Sequence, residues 1–395
     1  MVAACPFPFE RGTPVRIHRM SEALVARGHT VELVTYHLGD HEVSLPFDVH
    51  RIREVKTYTK TDAGPSYQKL AVCDPLLAKL LRRVIRDKQI EVVHAHHFEG
   101  LLTALWATRG TDVPVVFDCH TLLTSELQYY GMGLIKRMKV SVGRWFDANL
   151  PRRADYVTAV TEDIAQQCVD RCGVHPDRVA AVVNGVELDT FTVPEEEVYR
   201  PSHGKPTVVF TGNFAAYQGV EHLFEVFAKL KAMGSETRLM LVTPSPLGEL
   251  EAVAKRLGVL DRIDLESVGF SGVPSRLAGA LIAANPRIDC DGIPQKLLNY
   301  MAAGKPTVSF EGSAKILRDG VTGLRVPNGD IEGFATAIQS LVDDPERAQR
   351  MGQAARDEVR LERTWRAAAE RIEHAYDVVL GQAVPAHHLP TEAAR

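Results

Sequence analysis

Short runs of β-branched and apolar residues alternate along the chain with stretches whose apolar positions recur every three or four residues. That alternation predicts an α/β protein of parallel sheets covered by helices. In the first half the predicted strands are residues 2–4, 30–34, 91–94, 113–117, 156–158 and 179–182. A helix is predicted over 14–27, where Ile17, Met20 and Leu24 form one apolar stripe and Gly28 supplies the stop. The pattern then restarts: "KPTVVFTG" (205–212) reads as a fresh first strand, and "TRLMLV" (237–242), "AGALIAAN" (278–285) and "GKPTVSF" (304–310) contain later ones. Residues 186–205, rich in charge and proline and without periodicity, read as a linker. Two doubly wound domains make a cleft between them, and such sheets take ligands outside the carboxyl ends of their strands.

The residues at those strand ends carry the candidate chemistry. After the first strand, Gly12 and Thr13 precede Pro14, which suits a first helical position, with Thr13 as N-cap. A glycine there lets backbone amides approach an anion, although a plain capped loop reads as well. The stretch is not a P-loop, because its G-K-[ST] ending is absent. In "VVHAHHFEG" (92–100), His94 and His96 share a strand face while His97 points away. A zinc site needs three or four ligands, and Glu99 is the one nearby carboxylate, so a polar wall is the better reading. "VVFDCHTLL" (115–123) puts Asp118, His120 and Thr121 at the sheet edge, with His120 suited to meet a substrate hydroxyl or to serve structurally.

In the second half "DGIPQKLLNYMAAGKPTVSF" (291–310) predicts a helix opening at Pro294, whose dipole favours negative charge above Gly292. Lys296 in its first turn, against ordinary helix electrostatics, points to an anion in front of it, and Arg287 could clamp the same anion. "DCD" (289–291) formally matches an Asp-x-Asp metal motif but precedes a phosphate-type helix start, so no metal is expected. Two such helix starts, one per domain, could grip a diphosphate from both sides.

Composition narrows the classes. A 395-residue chain that is 45% apolar, with a formal charge of −4, has material for two cores and does not suit nucleic-acid coating. Six scattered cysteines read as reduced thiols. No apolar run reaches a membrane span, and "MVAACPFPF" has no basic region ahead of its apolar part, so a cytoplasmic location is expected. Residues 134–153 combine basic residues with Leu134, Met138, Val142, Trp145 and Phe146. If helical, this stretch suits peripheral contact with the inner membrane face, and core packing explains its apolar stripe equally well.

Nearly the whole chain resembles the family-four glycosyltransferases of GT-B fold. The resemblance is carried by "RGTPVRIHRMSEALVARGHTVELVTY", "VVNGVELDTF", "VFTGNFAAYQGVEHLFEVFAKL" and "PQKLLNYMAAGKPTVSF...LRDGVTGLRVPNGDIEGFATAI". It implies two Rossmann-like domains, 1–190 for the acceptor and 191–362 for the nucleotide sugar. It also implies that a last helix, 363–380, returns to the first domain, and 381–395 reads as a disordered tail. The implied reaction moves a sugar from a UDP- or GDP-sugar to a hydroxyl acceptor (glycan, lipid-linked or small molecule), with retention and without metal or other cofactor. By position, Gly12 with Thr13 would meet the diphosphate, and His120 the transferred sugar. Asn213 and Gln218 stand where the family has an arginine and a lysine, and Asp291 and Asn299 where it has two glutamates seven residues apart. Gly292 and Ile293 complete the donor loop. Arg287 and Lys296 would restore the missing charge. A catalytically silent nucleotide-sugar-binding protein, and an epimerase of the same fold, are the alternatives.

Overall fold

The computed structural model describes residues 1–9, 12–60, 68–127, 133–290 and 292–383. The chain divides into two compact units, Met1–Asn184 with Trp365–Arg395, and Gly185–Thr364.

The first unit holds strands β1 (Val2–Ala3), β2 (Glu32–Thr35), β3 (Asp48–Arg51), β4 (Val93–His96), β5 (Val115–Cys119), β6 (Tyr156–Ala159) and β7 (Val179–Ala181). They form one parallel sheet in the order β3-β2-β1-β4-β5-β6-β7. Its helices in chain order are α1 (Gly12–Ala26), α2 (Asp74–Asp87), α3 (His97–Ala107), α4 (Leu123–Leu127), α5 (Gly133–Asn149) and α6 (Glu162–Asp170). On one face Ile17, Met20 and Leu24 of α1 pack with Trp365, Ala368, Ala369 and Ile372 from the C-terminal helix. On the other, Leu77, Leu81, Leu101, Ala104 and Ile164 cover the sheet. Burial on both faces is what a parallel sheet requires.

The second unit repeats the plan with β8 (Thr207–Thr211), β9 (Arg238–Val242), β10 (Ile263–Glu266), β11 (Ile282–Asn285), β12 (Thr307–Phe310) and β13 (Gly323–Val326), ordered β10-β9-β8-β11-β12-β13 and all parallel. Around it run α7 (Val220–Ala232), α8 (Leu250–Arg256), α9 (Val273–Gly279), α10 (Gln295–Ala302), α11 (Ile331–Asp343) and α12 (Pro345–Glu362). The final helix, α13 (Trp365–Val379), belongs to the first unit. Alternation along the strands separates two cores. Val208 and Phe210 meet Leu223, Phe227 and Phe334, whereas Val209 meets Leu297, Leu298 and Met301.

Several elements depart from expectation. Strands β4 and β5 run two residues further than the periodicity indicates, so His96 and Asp118 lie inside the sheet rather than beyond it. Strands β3, β10 and β13 carry too much polar or glycine content to read as strands, because edge and near-edge positions leave them half-exposed. Helix α1 begins at Gly12 with φ +51°, so Thr13 is inside the helix and not its cap. Helix α10 begins one residue later than expected, leaving Pro294 as its N-cap. The stretch expected as a linker packs against the second unit: Val186 bridges Thr364, and the Tyr199 N–H donates to Ser275.

Each sheet has one switch point, where strands wound in opposite directions sit side by side. It lies between β1 and β4 in the first unit and between β8 and β11 in the second. Loops diverging there open a crevice at the strands' carboxyl ends.

Candidate active site

At the first switch point the sequence places an arginine on an apolar stripe. Arg16 is four residues before Met20, on the face α1 presents to the sheet, and it is 2% exposed. It donates Nε and Nη2 to the two oxygens of Asp118, at 2.8 and 2.9 Å, and Nη1 to Asn184 Oδ1 at 2.8 Å. Asp118 is fully buried and takes three more donors: Thr158 Oγ1 at 2.8 Å, His96 Nδ1 at 3.0 Å and His120 Nε2 at 2.9 Å. Burial alone would push its carboxyl up. Arg16, His120 and His96 together overcome that and hold it well below the usual carboxylate range.

Asp118 in turn fixes the rings around it. A carboxylate can only accept, so His96 is assigned with its proton on Nδ1 and His120 with a proton on Nε2. That leaves His120 Nδ1 as the nitrogen facing Thr13 Oγ1, at 3.3 Å. His94 and His96 share a face as the alternation predicts, their rings stacked at 4.8 Å and 7°. His94 Nδ1 meets the Tyr376 hydroxyl of α13 at 2.8 Å. His97 does not point away. Its ring stacks on His120 at 4.3 Å, and its Nε2 lies 2.6 Å from Thr13 Oγ1. Gly12 stands at the start of α1, with open space where a Cβ would be.

The ligand atoms of His94, His96 and Asp118 lie within 4.8 Å of one another, close enough to suggest a cation. Their chemistry does not fit one. Both Asp118 oxygens are bound by a guanidinium, one His94 nitrogen is engaged by Tyr376, and lone pairs in two parallel rings do not converge.

This polar knot should make the unit acid-labile. Burial lowers the His96 imidazole from 6.5 to about 4. The folded state therefore binds fewer protons than the unfolded chain across that interval, and stability drops as pH falls from about 6.5 to about 4. Asp118, with its depressed carboxyl, extends the loss further down. Denaturant midpoints at pH 7.5, 5.5 and 4.5 should decline in that order, and a constant midpoint would contradict the assigned protonation.

The second switch point is built on Phe210, the loop after β8 and the start of α10. Lys296, partly exposed in the first turn of α10, donates Nζ to Gln218 Oε1 at 2.7 Å and sits 3.9 Å from the Phe210 ring centre. Gly212 (φ +130°) leaves room for it: a Cβ there would stand 3.2 Å from Lys296 Nζ. Gly219 (φ +68°) lets its loop press on the loop after β11, since its Cβ would fall 2.5 Å from the Pro286 carbonyl oxygen. Arg287 is held beside them, with Nε donating to the Asp289 carbonyl at 2.7 Å and its guanidinium 4.9 Å from the Tyr217 ring centre. Buried Asn285 donates to Ser309 and Ser313, and the Ser313 hydroxyl donates to the Arg287 carbonyl, which anchors this loop. Burial first, and the neighbouring Arg287 charge second, lower the Lys296 ammonium from 10.5 to about 7. Neither cation pairs with a carboxylate among the described residues.

Of the sequence candidates, Gln218, Lys296 and Arg287 are therefore brought together. Asn299, one turn beyond Lys296 on the same helix face, is partly exposed. Gly292 and half-buried Ile293 precede the helix, with Ile293 packed on the core. Asn213 is not drawn in: it is exposed, and its Oδ1 accepts from the Ala215 N–H of its own loop. Asp291 lies outside the described residues, as do the side chains of Leu134 and Met138. On α5, Val142 and Trp145 are exposed and Phe146 packs on the core. Sequence reasoning passed over Arg16, Thr158 and Asn184, and it turned His97 away from the cluster it joins. Arg16 alone carried a signal, its place on the stripe of Met20.

Two parallel-sheet units, each with its own switch point, define the class as the GT-B glycosyltransferase fold. Residues 11–190 match the model of Glycosyltransferase Family 4, and residues 205–344 that of Glycosyl transferases group 1. The two halves of the chain thus each match a glycosyltransferase model, and the chain is a glycosyltransferase that uses a nucleotide sugar. It is 26% identical over 291 residues to alpha-D-kanosaminyltransferase of Streptomyces kanamyceticus, covering 70% of this chain and 73% of that one. It is 25% identical over 386 residues to phosphatidyl-myo-inositol mannosyltransferase of Mycobacterium leprae, covering 95% and 96%. The HepE protein of Anabaena, solved in complex with UDP, superposes with a TM-score of 0.74 at 15% identity, over 95% of this chain and 99% of that one.

Proposed function

We propose that the second switch point grips the diphosphate of a UDP- or GDP-sugar through Lys296 and Arg287, with Gln218 and Asn299 as neutral partners. The observation that carries this reading is the pair of neighbouring cations at the strand ends with no carboxylate among the described residues to balance them. An anion is the partner such a pair lacks. Asn299 would bond a ribose hydroxyl, as donor or acceptor.

Transfer proceeds with retention and without a metal. The diphosphate leaves from the face on which the acceptor hydroxyl arrives, and it takes the acceptor's proton. Two features support this. The carboxylate beside His120 is saturated with donors and does not offer a free base. The two cations supply the charge that a divalent ion would otherwise bring to the leaving group. The acceptor is a hydroxyl compound, and the relatives acting on phosphatidyl-myo-inositol and D-inositol 3-phosphate make a polyol the first class to try.

Product analysis tests the reading directly. With an α-linked donor, proton NMR of the isolated product should show an α-linkage, and initial rates should be unchanged by EDTA. A β-linked product, or a rate abolished by EDTA and restored by a divalent ion, would overturn it.

A further inference from the structure

We propose that His97 is a positioning residue that orients the Thr13 hydroxyl onto His120. Three observations carry this. His97 is one of two non-glycine residues with positive φ among the described residues, at +61°. It adopts that disfavoured conformation where β4 becomes α3, and a conformation of this kind persists only where surrounding contacts over-determine it. Two contacts hold it there: Nε2 lies 2.6 Å from Thr13 Oγ1, and the ring stacks on His120. Thr13 Oγ1 is also 3.3 Å from His120 Nδ1, so one hydroxyl stands between two imidazoles.

The hydrogens in this cluster can be assigned from its far end. Asp118 accepts from His120 Nε2, so Nε2 carries a proton, and in the neutral ring Nδ1 is an acceptor. The single Thr13 hydrogen then goes to His120 Nδ1. Thr13 Oγ1 is left to accept, and His97 Nε2–H is the donor that fills it. The chain runs His97 Nε2–H to Thr13 Oγ1–H to His120 Nδ1, and His120 Nε2–H to Asp118, with every hydrogen used once. His97 thus sets the polarity of the Thr13 hydroxyl, while its stacked ring restrains His120 from turning. A substrate hydroxyl arriving at this sheet edge meets groups whose orientation is already fixed, and fixed orientation is where electrostatic catalysis gains over water.

The inference rests on His120 serving the transfer reaction, but its primary readout does not depend on turnover. In 15N NMR spectra of protein labelled with 15N-histidine, wild-type His120 should report one tautomer, protonated on Nε2 with a hydrogen-bonded Nδ1. In His97→Gly, which suits the positive φ but removes donor and ring, the Nδ1 resonance should move toward that of a free imidazole. In assays, kcat should fall by tenfold or more with KM for the donor changed less than threefold. His97→Asn tolerates the same backbone and keeps an N–H donor, so it should recover part of both signals, and it serves alone if the glycine variant does not fold. A His120 Nδ1 resonance unmoved in the variants overturns the proposal. So does a kcat within twofold of wild type.

Discussion

Replacing Lys296 with methionine should lower turnover of the donor by about 10²–10³-fold, the usual cost of removing one charge-stabilising group from a reaction that expels an anion. Methionine keeps the apolar stem over Phe210, so the change removes charge and little packing. The same residue sets a pH dependence. In the empty protein Lys296 loses its proton near pH 7, because burial and Arg287 disfavour the charged form. The diphosphate wants the ammonium. Binding above that pH therefore takes up a proton, and affinity should fall by up to about tenfold per unit as pH rises from 7. Lys296→Arg keeps its charge throughout and should flatten that profile, even where its longer fork fits poorly. Affinity that is level between pH 6.5 and 9 in wild type would show that Lys296 does not titrate against the ligand.

Asp118→Asn should destabilise the first unit by about 3–5 kcal/mol, because it strands the Arg16 guanidinium in the sheet's interior without a counter-charge. The carboxamide also offers an N–H to neighbours that are themselves donors: Arg16, Thr158, His96 and His120. Removing both charges is expected to be milder. The Arg16→Met/Asp118→Asn pair should recover a substantial part of the loss, since the cost lies in an uncompensated charge and not in a missing contact. Activity should not return with it, because His120 no longer has an anion to fix its tautomer. Equilibrium unfolding in urea reads the first effect and product formation the second. If the double variant proved less stable than either single one, Arg16 and Asp118 would have independent partners that this account omits.

Much of the fold was legible because parallel sheets write themselves as buried β-branched runs. β5, β6, β8 and β12 are of that kind, and β9 is a buried run of leucine, methionine and valine. β3 and β10, polar edge strands with no fully buried position, give no such run. The phosphate-type loop was legible from one electrostatic anomaly, the lysine in the first turn of α10. Its partner Gln218 was found only by resemblance, and Phe210 and Tyr217 not at all, since an aromatic beneath a cation looks like any core residue in one dimension. His97 shows the limit most plainly. Strand alternation assigns it the outward face, and that rule fails once the strand ends and the backbone turns left-handed. The Asp118 knot joins residues 16, 96, 118, 120, 158 and 184, and no local pattern connects positions so far apart.

The central claim is that a diphosphate binds at the second unit's switch point through Lys296. Calorimetric titration of UDP and GDP, each beside its parent nucleoside, into wild type and Lys296→Met tests it most directly. Wild type should prefer the better diphosphate over its nucleoside by at least about tenfold, as charge-assisted hydrogen bonds would give. In the methionine variant that preference should shrink severalfold, to what Arg287 alone supports, while nucleoside binding stays. A variant that retains the full preference for the diphosphate would contradict it.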